Sequence, residues 1–343
     1  MKTKDFDYQL PEAFIAQEPS PERDHSRLMV VERARASVSC RYFYELPGYF
    51  DAGDTLVLND SRVIPARVRG KKETGSTIEL LLLKEADPDR RRWEVLLRPA
   101  KRVTEGTVIV FDENVQAEIV RRISPKKWLV EFHAKGNFDD FLERKGETPL
   151  PPYIKRKAGN HRERLDRERY QTVYARSPGS VAAPTAGLHF SESILDALRK
   201  RGVGIVPVTL HVGYGTFLPV ETEHVEDHRM EEEWYEVSEK SADAINHASR
   251  ITATGTTSAR VLESACGSDG RVAAGRGSTD LFIYPGYRFK KVNRLITNFH
   301  LPMSSLFLLV SAFTGKDLIT KAYEIAMEEG FRYYSYGDCM RIV

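Results

Sequence analysis

Histidine, threonine and glycine residues cluster where apolar stretches of this 343-residue sequence end. Small residues let a ligand approach the backbone closely, and free N–H groups at the start of a helix can bind an anion or a hydroxyl. Imidazole titrates near neutral pH and can therefore move protons. The pattern occurs in four segments, residues 182–190, 209–217, 254–260 and 296–302, and two further segments, residues 58–62 and 335–338, each place a carboxylate at a turn. If these segments converge, they form a site for acid–base chemistry on a hydroxyl-bearing ligand.

Side chains in these segments supply the candidate site residues. Candidate catalytic residues, chosen for proton transfer, are His189, His300, His211, Asp60 and Asp338. Candidate substrate-binding residues are Thr185, Gly187, Gly213, Gly215, Thr216, Thr256, Thr257, Asn298 and Arg62. We expect one common pocket to be lined by Thr185, His189, His211, Gly213, Gly215, Thr256, Thr257 and His300. His189 and His300 are the first choices for proton transfer, and His211 is the second.

Each of these features also has a purely structural explanation. A single Gly-x-Gly is common in hairpins and bulges, and a histidine that follows apolar residues is often a hydrogen-bonded core residue. His224 and His228 lie four residues apart, as in some metal sites. The His-Glu-x-x-His order and a third ligand are absent from the sequence around them, so we expect no metal.

Basic residues are concentrated in one part of a nearly neutral chain. The net charge is only +2, yet residues 62–164 contain 24 Lys and Arg against 16 Asp and Glu. A basic module of this kind is typical of proteins that bind a phosphate backbone, although solvated turns would show the same excess. The candidate RNA-binding residues are Arg90, Arg91, Arg92, Lys126 and Lys127.

Composition argues against secretion or membrane insertion. The N-terminal residues are polar, and the longest apolar run, residues 306–313, is far shorter than the roughly 20 residues of a spanning helix. The three cysteines are widely spaced and outside any CxxC pair, which is typical of unpaired thiols in a reducing cytosol. We therefore expect a cytoplasmic protein.

Two patterns of secondary structure alternate along the chain. Short β-branched and aromatic runs predict antiparallel strands at residues 77–84, 93–97, 107–111, 115–120 and 128–132. Outside this region, predicted strands at 54–58, 204–212, 251–253, 281–284 and 295–297 alternate with predicted helices at 191–201, 240–250, 256–264, 304–313 and 316–329. The predicted fold class is α/β. A discontinuous α/β main domain (residues 1–62 and 152–343) carries an inserted small antiparallel β-barrel domain (residues 63–151).

Longer motifs in the same segments resemble one known family. They are DFDYQLPEAFIAQEP (5–19), GDTLVLNDSRVIPARVRG (53–70), SVAAPTAGLHF (180–190), TLHVGYGTF (209–217), TGTTSARVLES (254–264), LFIYPGYRFK (281–290), LITNFHLPMSSL (295–306) and FRYYSYGDCM (331–340). The sequence is similar, in this order and from end to end, to the S-adenosylmethionine:tRNA ribosyltransferase-isomerase family of queuosine biosynthesis. One departure is Glu231, which stands where the family's His-x-Met-His-x-Glu pattern has its second histidine.

The resemblance implies a defined reaction. The ribosyl part of S-adenosylmethionine, a co-substrate, is transferred to 7-aminomethyl-7-deazaguanine at the wobble position of tRNA and isomerised. The product is epoxyqueuosine, and adenine and methionine are released. The implied partner is tRNA with a GUN anticodon, without a permanently bound cofactor or an obligate protein partner. A base, an acid and hydroxyl-orienting groups are required, which matches the candidate residues.

Two other functions compete with this interpretation. A strand followed by Gly-x-Gly at residues 209–216 is also found in S-adenosylmethionine-dependent RNA methyltransferases, but no acidic residue follows at the usual distance on a second strand. A non-catalytic RNA-binding protein would need only the basic β module. In such a protein the polar residues at the strand ends would have no function.

Overall fold

The computed structural model describes residues 1–87, 89–156, 162–217 and 219–343. The N-terminal part contributes four strands: β1 (Arg27–Glu32), β2 (Ser37–Tyr42), β3 (Asp54–Asn59) and β4 (Ser61–Val63). Six strands follow: β5 (Arg67–Lys72), β6 (Thr77–Glu85), β7 (Arg92–Arg98), β8 (Val108–Val110), β9 (Val115–Arg122) and β10 (Lys127–Ala134). The C-terminal part contributes seven: β11 (Ser177–Ser180), β12 (Gly204–Leu210), β13 (Glu233–Val237), β14 (Arg250–Thr254), β15 (Gly275–Thr279), β16 (Arg294–Asn298) and β17 (Cys339–Ile342).

Helices occupy most of the connections. The α-helices are α1 (Phe138–Lys145), α2 (Glu163–Arg169), α3 (Glu192–Lys200), α4 (Glu239–His247), α5 (Gly255–Ala265), α6 (Ser305–Thr314) and α7 (Lys316–Glu328). Short 3-10 helices span Thr3–Phe6, Glu12–Phe14, Arg23–His25, Arg33–Arg35, Phe43–Tyr49, Ala100–Arg102, Thr185–His189, Tyr214–Phe217 and Val225–Asp227. Within the part of the chain that the structure describes, none of the helices is long and apolar enough to span a membrane.

A nine-stranded sheet forms the main layer, in the order β15-β13-β12-β3-β14-β16-β17-β1-β2. At its centre β12, β3, β14 and β16 run parallel, so their carboxyl ends meet at one edge. Strand β3 is buried throughout; Val57 packs into the core on one face, and Leu56 and Leu58 into the core on the other. Alternate residues of a strand point to opposite faces, so apolar layers cover this sheet on both sides.

A closed antiparallel barrel follows the first strands, in the order β10-β7-β6-β5-β8-β9. Its strands alternate inward and outward residues, as in β9, where Val115, Ala117 and Ile119 are buried. They pack into a separate hydrophobic core that α1 covers with Phe141 and Leu142. Closure leaves no strand edge unpaired. The α/β fold class with a small antiparallel barrel is therefore confirmed.

The exact division into domains remains a proposal. Strand β4 pairs with β11 outside the barrel, and Val181 and Tyr214 of the later chain pack against the barrel core. We retain residues 1–62 with 152–343, and residues 63–151, as the two proposed domains.

Two of the predicted elements differ from the structure. Residues 281–284 form no strand, because backbone groups of Leu281 bond to side chains instead of to a ladder: its N–H donates to Thr279 Oγ1 (3.1 Å) and its carbonyl accepts from Arg260 Nε (3.0 Å). The helix predicted to reach residue 250 ends at His247. Arg250 begins β14 instead, and its Nε lies 2.6 Å from Oδ1 of the buried Asp54.

Candidate functional site

A cavity lies at the sheet edge where the carboxyl ends of the parallel strands meet, and its empty space, including the part open to solvent, is about 640 Å³. This is the position at which open α/β sheets bind ligands. Its lining is Tyr153, Ala183, Pro184, Thr185, Ala186, Val212, Thr216, Gly255, Thr256, Thr257, Thr297, Asn298, Phe299, His300, Leu301, Ser304, Leu306, Tyr334 and Ser335. No Asp, Glu, Lys or Arg is among these residues. The cavity is therefore enclosed by hydroxyls, an amide, an imidazole and aromatic rings.

The first turn of α5 forms one wall of the cavity. Gly255 opens the helix with a φ of +82°, a left-handed conformation that glycine adopts without strain. Thr256 and Thr257 follow it, and the first N–H groups of a helix have no partner inside that helix. The Thr257 hydroxyl is buried and has no hydrogen-bond partner among the described residues. This wall can bind an anionic or hydroxyl-bearing group.

The end of β16 forms the opposite wall with Asn298 and His300. Asn298 Nδ2 donates to the Tyr334 carbonyl (2.9 Å), while its Oδ1 is buried without a partner in the described structure. His300 Nε2 lies 2.8 Å from Thr297 Oγ1, and the His300 N–H donates to Tyr323 OH (2.9 Å). Burial lowers the pKa of His300 to about 3, so the ring is neutral at pH 7. A neutral imidazole donates one hydrogen bond and accepts another.

Two tyrosines complete the cavity as an aromatic wall. Tyr334 has a φ of +74°, which is uncommon for a bulky residue, and such strained positions concentrate at functional sites. Its ring centroid lies 4.2 Å from that of Tyr153, whose hydroxyl is 2.5 Å from Ser335 Oγ. Burial raises the pKa of Tyr334, so its hydroxyl stays protonated. This surface can stack on a planar base or on a cation.

His189 lies behind the cavity and does not line it, contrary to the expectation of a common pocket. Its Nδ1 is 2.7 Å from Ser26 Oγ in a buried environment. The pKa of His189 is lowered to about 3, chiefly by burial and also by the charge of Arg332, while the neighbouring Asn298 side chain acts to raise it. His189 can therefore influence the cavity through Asn298.

His211 also lies outside the cavity, in a groove of about 1520 Å³ between the barrel and the main sheet. Its ring stacks on Trp234 of β13, with centroids 4.8 Å apart and an interplanar angle of 15°. A Cβ on Gly179 would lie within 2.9 Å of this ring, so glycine is required there. Burial lowers the pKa of His211 to about 4. The groove and the cavity share Val212, the next residue along the chain.

The Gly-x-Gly turn at residues 213–215 lines surface depressions and not the cavity. Gly213 N–H donates to Glu233 Oε1 (2.7 Å), and Thr216 Oγ1 donates to the same oxygen (3.3 Å). Glu233 forms a buried ion pair with Arg260 of α5. Glu233 and Arg260, which the sequence patterns did not single out, therefore attach this turn to the cavity wall. A signal did exist in the sequence, because Glu233 is the glutamate that ends the His-x-Met-His-x-Glu pattern.

The two aspartate candidates have structural hydrogen bonds. Asp60 accepts from Thr209 Oγ1 (2.7 Å), and burial raises its pKa. Asp338 is buried and accepts from the backbone N–H of Arg27 (3.0 Å) and of Arg332 (2.7 Å). Neither carboxylate lines the cavity.

The remaining substrate-binding candidates, Arg62 and Gly187, also lie outside the lining. Arg62 is exposed on β4. Gly187 is needed for packing, since a Cβ there would lie 2.1 Å from Tyr174 OH. The structure thus gathers Thr185, Thr216, Thr256, Thr257, Asn298 and His300 around one cavity.

The arginine candidates for RNA binding lie at the turn between β6 and β7. Arg90 pairs with Glu85 and Asp139, each at 2.5 Å, and Arg92 pairs with Glu131 at 3.0 Å. Arg91 is exposed and forms no ion pair with the described residues. An incoming phosphate would therefore meet one guanidinium group without an ion pair to the described residues and two that already pair with carboxylates.

The lysine candidates lie at the opposite end of the paired strands β7 and β10, where the barrel approaches the main domain. Lys127 forms an ion pair with Glu231, and Lys126 lies 3.9 Å from Glu221. Glu231, the residue that departs from the family pattern, therefore holds the barrel against the turn at residues 213–215. We call these two ion pairs the seam.

One surface group could in principle hold a metal. Potential ligand atoms of Glu22, Asp24 and His25 lie within 4.8 Å of one another. Such exposed acidic groups are common without an ion, and this one lies outside the cavity lining.

Comparisons with known proteins agree over the whole chain. A family described as "Queuosine biosynthesis protein" matches residues 3–342. A relative from Syntrophus aciditrophicus, an S-adenosylmethionine:tRNA ribosyltransferase-isomerase, is 55% identical with 100% of both chains covered. Another of that name, from Geobacter metallireducens, is 52% identical with 99% of both chains covered. The crystal structure of an S-adenosylmethionine tRNA ribosyltransferase from Thermotoga maritima is 34% identical, with a TM-score of 0.55 and coverage of 98% of this chain and 99% of that chain.

Proposed function

The chain belongs to the S-adenosylmethionine:tRNA ribosyltransferase-isomerase family, and from this premise we propose its reaction and its site. The enzyme transfers the ribosyl group of S-adenosylmethionine to 7-aminomethyl-7-deazaguanine at the wobble position of tRNA and isomerises it to epoxyqueuosine. Adenine and methionine leave. The competing functions, RNA methylation and non-catalytic RNA binding, have no support from these relatives.

The observation that carries the site assignment is the cavity at the carboxyl ends of the parallel strands. We propose that it binds S-adenosylmethionine. The first turn of α5 provides unpaired N–H groups and the Thr257 hydroxyl for a carboxylate or for ribose hydroxyls. The faces of Tyr153 and Tyr334 suit the sulfonium cation and the adenine ring. A site without acidic side chains can hold a cation in this way.

His300 is the proposed proton-handling residue of the cavity. Apart from the two tyrosines, it is the one titratable side chain among the described residues of the lining. The sulfonium acidifies the 5′ carbon beside it, so this carbon can give up a proton while adenine takes one up as its bond to the ribose breaks. The amine loses a proton when it bonds to the ribosyl group, and the carbon–sulfur bond breaks to release methionine. Because the ring is neutral, His300 can donate a hydrogen bond to departing adenine while Thr297 holds the other ring nitrogen. Asn298, supported by His189, orients the ribose hydroxyls.

The proposed partners and location follow from the same family. The RNA partner is tRNA with a GUN anticodon, and S-adenosylmethionine is a co-substrate that dissociates as products. We propose that the chain acts in the cytoplasm, without a permanent cofactor, a metal or an obligate protein partner. Lys126, Lys127 and Arg90–Arg92 contact tRNA phosphates in this proposal, because an anticodon stem brings phosphates to any surface beside the groove.

The experiment that tests this function is product analysis. The chain is incubated with S-adenosylmethionine and an anticodon stem-loop that carries 7-aminomethyl-7-deazaguanine. We expect adenine and methionine in equal amounts, together with a stem-loop whose mass has increased by the transferred group. S-adenosylhomocysteine with a methylated stem-loop would instead identify a methyltransferase. Binding without either product would identify an RNA-binding protein.

A further inference from the structure

The groove between the barrel and the main sheet differs in chemistry from a phosphate-binding surface. Trp234 is 36% exposed and forms part of its wall, stacked on His211 from the paired strand. An exposed tryptophan beside a cavity of this size is a surface on which an unstacked nucleobase can lie. The groove meets the proposed S-adenosylmethionine cavity at Val212.

The charges of the groove favour a cation over a phosphate. Glu231 and Lys127 neutralise each other, and Glu233 is paired with Arg260. Glu232 is exposed, lines the groove, and forms no ion pair within the described residues. Glu94 of β7 lines the facing side, also without an ion pair in the described structure, and Lys84 of β6 is its cross-strand neighbour in the groove. With Lys127 already paired, Lys84 is outnumbered by the two unpaired carboxylates. These carboxylates repel a phosphate backbone and attract a cation or N–H donors.

We infer that this groove receives the target nucleobase itself on first binding, with its face on Trp234 and its cationic amine and donor edge toward Glu232. To react, the amine loses its proton and turns toward the cavity at Val212. The inference rests on the proposed function, because that function supplies a guanine-type base with an aminomethyl group. Such a base combines a flat face, a donor edge and an amine that is cationic in water. The groove offers an aromatic face and unpaired carboxylates in return. Phosphates of the same nucleotide remain outside, near the lysines of the seam.

Binding measurements with two stem-loops test this inference. One stem-loop carries 7-aminomethyl-7-deazaguanine at the wobble position and the other carries guanine. Wild-type protein is expected to bind the modified stem-loop more tightly, and Glu232→Gln is expected to remove most of that preference. Trp234→Ala is expected to weaken binding of both by about 5- to 100-fold, the usual range for removal of one base–aromatic stack, with Trp234→Phe recovering most of it.

A matched control uses a second stacked pair of aromatic residues, away from the groove. Tyr42 and Tyr44 lie with ring centroids 5.4 Å apart and an interplanar angle of 5°, and both are exposed. Tyr44→Ala should leave both affinities unchanged. Affinities unaltered by Trp234→Ala, or a preference that survives Glu232→Gln, would overturn the inference.

Binding of the target base in the groove and the proposed reaction can be tested separately. Wild-type protein that releases no adenine contradicts the function whatever the groove binds. Normal adenine release by wild type, combined with an unchanged KM for the stem-loop in Trp234→Ala, places the target base elsewhere and leaves the function intact.

Discussion

The cavity and the groove meet at Val212, and they differ in the charge of the side chains that line them. The cavity is lined by neutral side chains, whereas the groove is lined by seven charged ones: Lys84, Glu85, Glu94, Lys127, Glu231, Glu232 and Glu233. Neutral, enclosed surroundings strengthen hydrogen bonds and exclude water, which suits a small reactive molecule. An open groove with an exposed tryptophan and carboxylates suits a single base of an RNA that must enter and leave, while the phosphates stay outside. The difference separates the chemistry of the reaction from the recognition of its target.

The largest expected effect comes from the imidazole of the cavity. We expect His300→Ala to lower single-turnover adenine release by about 10² to 10³, the usual effect of removing one hydrogen-bond donor that stabilises developing charge. His211→Ala, on the groove side, should chiefly weaken binding of the stem-loop. His189→Ala should reduce the rate less than His300→Ala, because His189 acts through Asn298. A rate reduction of less than tenfold in His300→Ala would show that His300 takes no part in the departure of adenine.

The buried histidines also predict a pH dependence of stability. The pKa values of His189 and His300 are about 3 in the folded protein, against 6.5 for an unperturbed histidine. Between these values the unfolded chain binds more protons, so the free energy of unfolding falls as pH drops below 6.5. Each histidine contributes a slope of up to about 1.4 kcal/mol per pH unit.

Urea unfolding at pH 7, 6 and 5 measures this slope. His300→Gln should reduce it by the contribution of one histidine. His133→Gln serves as the control, because His133 is an exposed residue of β10. An equal slope in wild type and in His300→Gln would show that the imidazole is not held neutral by burial.

Neutralising the basic clusters should have a smaller effect, on tRNA binding. We expect Lys126→Gln with Lys127→Gln to weaken binding several-fold, and the triple change of Arg90, Arg91 and Arg92 to Gln to weaken it less. The magnitude of the log–log salt slope should fall by about 0.7 to 0.9 for each phosphate that the variant no longer neutralises. Lys321→Gln on α7 is the control. If tRNA affinity and its salt slope are unchanged in both folded variants, tRNA binds to the main domain instead.

The smallest effect is expected from the acids of the seam. Glu221→Gln with Glu231→Gln frees Lys126 and Lys127 for phosphates, and exposed ion pairs are worth at most about 1 kcal/mol each. Affinity for a stem-loop carrying guanine should therefore rise about twofold to fivefold. Asp196→Asn, which breaks an exposed pair with Arg199 on α3, should change nothing. Weaker binding in the double variant would show that the seam holds the groove open for RNA.

Local sequence pattern located five of the six strands of the barrel and the position of the cavity, but it fitted a sandwich as well as a barrel and missed β5. Alternating strands and turn residues predicted the five strands from residue 77 onward, and polar strand ends predicted the edge where Thr257, Asn298 and His300 meet. The pattern could not place His211. Consecutive residues of an extended chain point in opposite directions, so Val212 faces the cavity while His211 faces Trp234.

Long-range contacts account for the other differences. His189 is held behind the cavity by Ser26, which lies 163 residues earlier in the chain. Glu233 reaches the turn at Gly213 and the helix at Arg260, 20 and 27 residues away. Partners at such separations leave no periodic signal in the sequence, so only the folded structure brings them together.

The most direct test of the account is a crystal structure with S-adenosylmethionine and an anticodon stem-loop bound. We expect the adenosyl group in the cavity, within hydrogen-bond distance of Thr257, Asn298 or His300. We expect the target base against Trp234 in the groove. S-adenosylmethionine in the groove, or a target base that enters without contacting Trp234, would contradict the separation of the two sites.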